Sequence, residues 1–259
     1  MSRYLKFMIL AVLIALTHPS WGTASEEVQL TRDEVTVIKR KLMAVSEALG
    51  QPPSGYAKEE ESFNLPTESS KMEKTGTFYP LYASAHFKFG GGADKKAKKS
   101  QKEIEAEYKK KMMEAQANGD FQELSRLAQE MQQKAGKAQL EAENAKREPI
   151  EISLQFNSHP GQAIDPDAVV FEKPGVIALR FKTGGDEEKV RIVVYFDPVH
   201  LKDTKTLSRV DLSDKQNKGV TNKTTIQHAT IELTGPTAVV EAWAKGIATS
   251  KVLSHIDVQ

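Results

Sequence analysis

Between Asp94 and Glu148 the chain changes character, and that change limits what the rest of it can build. The segment is rich in Lys, Glu, Gln and Ala and holds no proline until Pro149. Asn118-Gly119-Asp120 interrupts it, with Asp120 placed to cap a second helix. After the break, Phe121, Leu124, Ala128, Met131, Ala135, Ala138, Ala142 and Ala145 recur at alternating spacings of three and four. That is heptad register, and it predicts a coiled-coil seam. Before the break, Ala97, Gln101, Ile104, Tyr108, Met112 and Ala115 repeat the pattern more loosely. Two helices joined by so short a turn predict an antiparallel αα-hairpin, with arms of roughly 25 residues and about 37 Å at 1.5 Å per residue.

Strand patterns flank this segment. From Thr77 to Phe89, Tyr79, Leu81, Ala83, Ala85, Phe87 and Phe89 alternate with polar positions, as do Ile150, Ile152, Leu154 and Phe156 further on. Both read as half-buried strands. Val169–Phe171 and Val176–Lys182 flank Lys173-Pro174-Gly175, which suits a type II turn. Lys189–Phe196 is apolar on both faces and predicts a central strand, and Thr224–Leu233 predicts a further one. Thr31 and Glu34 form a capping box ahead of a stripe at Val35, Ile38, Leu42, Val45 and Leu49, and Gly50 ends that helix. A last helix starts at Thr234-Gly235-Pro236 and carries Val239, Val240, Trp243 and Ile247. The polar, acidic stretch Gly55–Gly76 reads as an exposed connector. Short links favour antiparallel pairing. The expected fold is therefore α+β: an antiparallel sheet of about five strands, covered by N- and C-terminal amphipathic helices. The αα-hairpin is expected as an insertion between the first two strands. Residues 25–89 and 149–259 would form the body and residues 90–148 the insertion.

Residues 1–24 read as a secretory signal peptide. Arg3 and Lys6 precede the apolar run Phe7–Leu16, and Gly22-Thr23-Ala24 leaves small residues at a cleavage site. Ten apolar residues are too few to span a bilayer, which needs about 20, and no later run approaches that length. The expected location is the periplasm, with secretion as the alternative. With 36 basic and 35 acidic residues the chain is near neutral, which argues against nucleic acid as partner. It contains no cysteine, so neither disulfides nor thiol chemistry enter.

No catalytic motif stands out. There is no H-E-x-x-H and no G-x-S-x-G. Gly90-Gly91-Gly92 ahead of Lys95 and Lys96 lacks the phosphate-loop pattern and reads as a hinge. His159, Asp165, Asp167, Asp197, His200 and Asp203 supply the residue types of a metal or hydrolytic site, in loops 157–167 and 197–203. Two surface features remain. Lys95, Lys96, Lys98, Lys99 and Lys102 form a basic cluster that could meet an anionic envelope component, against the plainer reading of a solvated helix face. Met112, Met113 and Leu127 exceed what one two-helix seam can absorb, and Lys109, Lys110 and Lys111 beside them could steer an acidic protein.

In architecture alone, an αα-hairpin on a β body resembles periplasmic holdase chaperones and efflux-pump adaptor proteins, though no motif of either is present. The expected function is that of an exported, non-enzymatic binding protein with the hairpin as contact arm and no cofactor. It could also form homo-oligomers through the hairpin. The alternative is a hydrolase or metal-dependent enzyme using the two loops.

Overall fold

The computed structural model describes residues 26–91, 101–144, 147–158, 160–183, 188–212 and 219–257. In chain order the elements are β1 (Glu26–Gln29), α1 (Arg32–Glu47), β2 (Tyr56–Asn64), β3 (Glu68–Lys71) and β4 (Ala83–Gly91). Next come α2 (Gln101–Ala117), α3 (Phe121–Asn144), β5 (Ile150–Phe156), β6 (Gly161–Ala163), β7 (Val169–Lys173), β8 (Val176–Lys182) and β9 (Lys189–Phe196). The chain closes with β10 (Arg209–Asp211), β11 (Ala229–Pro236), α4 (Thr237–Gly246) and α5 (Thr249–Leu253). Seven strands form one sheet in the order β2-β4-β5-β11-β9-β8-β7, every neighbour antiparallel. Two small ribbons, β1-β3 and β10-β6, lie beside it.

The main core lies between one face of the sheet and helices α1, α4 and α5. Ala83, Ala85, Phe87 and Phe89 of β4, Ile150, Ile152, Leu154 and Phe156 of β5, and Ile231 and Leu233 of β11 point into it. They meet Ile38, Leu42 and Val45 from α1 and Val240 and Trp243 from α4. The Trp243 indole donates to the carbonyl of Leu49 at 2.8 Å and its ring stands edge-on to Phe89 at 4.9 Å. The capping box of α1 forms, with Thr31 N–H donating to the Glu34 carboxylate and Glu34 N–H donating to the Thr31 hydroxyl. A second cluster covers the opposite face at β8 and β9, where Ile177, Leu179, Val193 and Tyr195 meet Leu201, Val210 and Leu212. This two-sided burial is why Lys189–Phe196 carries apolar residues on both faces. Gly175 has φ +80°, the conformation a type II turn requires after Pro174.

The expected α+β layout needs correction on four points. The protein is mostly sheet, with seven strands in the main sheet and not about five. The connector expected over Gly55–Gly76 contains β2 and β3. β2 lies at an edge of the sheet, and its Lys58-Glu59-Glu60-Glu61 run leaves it exposed along most of its length. Charge on an edge blocks further strand pairing while erasing the alternation by which strands are recognised. The αα-hairpin is also absent from between the first two strands: β1, β2 and β3 precede β4, and α2 and α3 follow it. Lastly, the strand expected from Thr77 begins only at Ala83, with Phe78 making isolated bridges to Lys71 and Val220.

Candidate functional site

α2 and α3 pack on each other. Among the described residues, neither shares an extended contact with a strand or helix of the body. Asp120 caps α3 by accepting from the N–H of Glu123 at 2.9 Å. Gly119, at φ +69°, makes the turn between the helices. At the base, Arg147 donates to the Ser54 carbonyl at 2.7 Å and lies over the Tyr56 ring.

The seam between the helices runs through Tyr108, Ala115 and Leu127, with Ile104, Met112, Leu124 and Met131 partly buried around them. Its centre on α3 is therefore Leu127, which is 5% exposed, whereas Phe121 is 79% exposed. At 3.6 residues per turn, Phe121, Leu124, Ala128, Met131 and Ala135 centre roughly 80° to one side of Leu127. Glu123, Arg126, Glu130, Lys134 and Lys137 fall on the other side within an arc of roughly 80°.

That charged side is tightly knit. Arg126 bonds Glu123 and Glu130, Tyr108 donates to Glu130, and Lys111 donates to Glu107. Lys111 and Lys134 both stand over the Tyr108 ring at 5.2 Å. The Arg126 hydrogen bond holds the Glu123 carboxyl below its ordinary range, and the hydrogen bond to Glu107 raises Lys111. Lys111 and Glu114 of α2 and Asn118 of the turn share a groove of about 410 Å³ with Glu123, Arg126 and Glu130 of α3, so one surface of the pair collects these charges. The opposite surface carries the uncharged stripe.

The contact residues expected from sequence are thus split. Leu127 fills the seam, Met112 borders it, and Met113 points outward at 57% exposure. Lys109 and Lys110 are exposed, while Lys111 is engaged as described. Of the basic cluster, Lys102 is exposed on α2, and Lys95, Lys96, Lys98 and Lys99 lie outside the described residues.

The loops considered for an enzyme come out differently. His159 lies outside the described residues. Among the described residues, no three His, Asp or Glu side chains gather as a metal site. Asp165 caps the 3₁₀ turn Pro166–Ala168. Beside it a cavity of about 570 Å³ is lined by Asp167, Phe181, Arg180 and Lys182 among others, with no Ser, Thr or His among the described residues of its wall. Asp197 is fully buried. One of its carboxylate oxygens accepts from the N–H groups of Val199 and His200, and the other lies 3.2 Å from His200 Nδ1. The backbone bonds make it a turn-former first.

Sequence reasoning passed over Asn157. It is fully buried at φ +51°, and its side chain joins three loops: Nδ2 donates to Leu81 and Thr225 carbonyls, and Oδ1 accepts from Gln227 N–H. The available signal was an Asn directly after an alternating strand, a residue type that tolerates the left-handed region. Strand register also lines up Ser62, His86, Ser153 and Glu232 across four adjacent strands on the face away from the helices. There Arg191 lies 3.7 Å from Glu232. Polar residues are the normal covering of the wet side of a one-sided antiparallel sheet.

The fold and site together define a class: an antiparallel sheet with helices on one face and a charge-segregated helical pair that packs on itself. No family model, curated protein or solved structure matches the chain. No helix among the described residues is long and apolar enough to cross a membrane.

Proposed function

We propose that this chain is an exported, non-enzymatic interaction protein whose helical pair α2–α3 is its contact arm. One observation carries the reading. Of the six large apolar side chains exposed among the described residues, Met113, Phe121 and Leu140 all lie on this pair. The pair's own seam is filled without them, and the body's apolar strand faces have their helices and loops to pack on. Exposed, flexible methionine beside an exposed aromatic suits an adaptable contact surface. Export rests on the leader pattern in residues 1–24, outside the described residues, and periplasm is the destination it favours. The N-terminus of the mature protein from fractionated cells tests that part.

The arm is tested by replacing Met113 and Phe121 with Gln, which keeps helix propensity and leaves the seam residues in place. The expected result is an unchanged circular dichroism spectrum with loss of the species crosslinked to the wild type in the periplasm. The same crosslinked species from both proteins would overturn the reading.

A further inference from the structure

We infer that the cavity between β6, β8 and the 3₁₀ turn Pro166–Ala168 binds a small zwitterion with an apolar side chain, either a free amino acid or a short peptide. The site belongs to the sheet body and does not rest on the reading of the helical pair as a contact arm.

Its floor is apolar. Leu179 and Phe181 of β8 point to the face away from the main helices, where they join the second apolar cluster. Leu179 is fully buried there, but Phe181 is only partly covered. The ladder between β7 and β8 ends at Val169 and Leu179, so Phe181 lies beyond it, where the chain has left the sheet as the 3₁₀ turn. An apolar group from elsewhere is needed to complete its burial.

The ribbon β6-β10 forms a wall. Gln162 stands opposite Val210, and directly opposed residues of an antiparallel pair share a face. Val210 is fully buried in the second cluster, so Gln162 also turns towards the sheet, and it lines the cavity. The enclosed space of about 570 Å³ is of the size that small molecules occupy. Arg191 lies over the Phe181 ring at 5.0 Å and 3.7 Å from Glu232, which braces the ring before a ligand arrives. Bracing of this kind lowers the ordering cost of binding.

Charge selects the ligand. Asp165, Asp167, Arg180 and Lys182 border the cavity. Asp165 is engaged in capping the turn, and Arg180 lies 3.7 Å from Glu241. Asp167 and Lys182 are exposed, and neither side chain has a hydrogen bond or ion pair among the described residues. A free carboxylate and a free ammonium thus stand at the rim of an apolar floor. A zwitterion answers both, its ammonium towards Asp167 and its carboxylate towards Lys182, while its side chain covers Phe181. A ligand of one sign would face its like at one of the two positions.

Isothermal titration calorimetry of the mature chain with leucine, Leu-Leu and Leu-Phe tests the inference, and leucine against the dipeptides separates the two sources. Saturable binding of at least one is expected. For that ligand, N-acetylation should weaken binding roughly tenfold, as should amidation of its carboxylate, the factor that one hydrogen bond to a charged group supplies. Asp167→Asn should weaken the unblocked ligand by a similar factor and remove the effect of N-acetylation. Lys182→Gln should do the same for amidation. Gln162→Phe supplies the missing apolar cover from the chain itself, so it should abolish binding without lowering the urea midpoint. Should that variant fail to fold, the two exposed charge variants decide. No saturable binding of any of the three would overturn the inference. So would blocked ligands that bind as tightly as free ones, blocking effects that persist in the charge variants, or binding kept by a folded Gln162→Phe. A helical pair that captures no partner leaves the site standing, and a cavity that binds none of the three leaves the contact arm untouched.

Discussion

Asn157 is the residue whose replacement should test the architecture most sharply. Its side chain makes three hydrogen bonds in a fully buried place: to Leu81 at 2.9 Å, to Thr225 at 3.1 Å and from Gln227 at 2.8 Å. Its own N–H donates to the His228 carbonyl at 3.1 Å. Asn157→Ala removes the three side-chain bonds and keeps the backbone one. Leaving a buried partner unsatisfied costs about 1–3 kcal/mol. Two carbonyls and one N–H are exposed to that loss, but carbonyls tolerate it better than amides. A total of about 3–5 kcal/mol follows. The left-handed backbone adds about 1 kcal/mol for alanine, which lacks the local hydrogen bonding that lets asparagine visit that region. Asn157→Gly loses the same bonds without the backbone strain, so it should be the milder change by about 1 kcal/mol. Asn157→Asp is the decisive third arm. It keeps shape but points an acceptor at two carbonyls, so it should be severely destabilising at neutral pH and partly recover as acid protonates it. Urea unfolding followed by circular dichroism and tryptophan emission measures all three. An alanine variant within about 1 kcal/mol of wild type would refute the argument. So would a glycine variant less stable than the alanine one.

Trp243→Phe keeps most of the apolar volume but leaves the Leu49 carbonyl without its indole donor; it should cost about 1–3 kcal/mol, and Trp243→Ala about 3–5 kcal/mol. A urea midpoint for Trp243→Ala equal to wild type would mean that α4 does not tie α1 to the sheet. Burial pushes the Tyr195 phenol up to about 12. The neutral ring is therefore the form the fold accepts: its contribution is complete below about pH 10, the ordinary tyrosine value, and is lost as pH rises towards 12. Tyr195→Phe should move the alkaline unfolding midpoint upward, measured by circular dichroism against pH; an unmoved midpoint would place the alkaline sensitivity elsewhere.

How much of this was legible depends on what each element contacts. α1 was readable in full because the Thr31–Glu34 box and the Ile38-Leu42-Val45 stripe are local signals that tertiary packing reinforces. β4 and β5 were readable because one face of each is dry and the other wet, which writes a period of two into the sequence. β2 was not. It owes its place to pairing with β4, where Phe63 stands opposite Ala85 and Lys58 opposite Phe89, and its own side chains are mostly in water. Such a strand is held by its neighbour's hydrogen bonds, and composition carries no trace of them. The short ribbon β6-β10 escaped for a related reason. It covers Val193 and Tyr195 from the far side, and only Val210 of its three-residue strands is buried.

The helical pair shows a different limit. A heptad stripe states that a helix has an apolar side and gives its spacing, but not which neighbour that side meets. Taken alone, Phe121, Leu124, Ala128 and Met131 look like the seam with the preceding helix. The structure turns Phe121 and Ala128 aside, leaves Leu124 and Met131 at the border, and centres that seam on Leu127, which lies off the stripe's midline. The reason lies in α2. Tyr108 presents its hydroxyl to Glu130 and its ring to Lys134, so the charged side of α3 is drawn over it. Leu127, between those charges and the stripe, is then the residue left to fill the space beside Ala115. An aromatic ring that takes two cations and a carboxylate thus sets the rotation of its partner helix. Tyr108→Leu keeps apolar bulk and removes that anchor, so α3 should be free to roll and bury Phe121 and Ala128 against α2 as well.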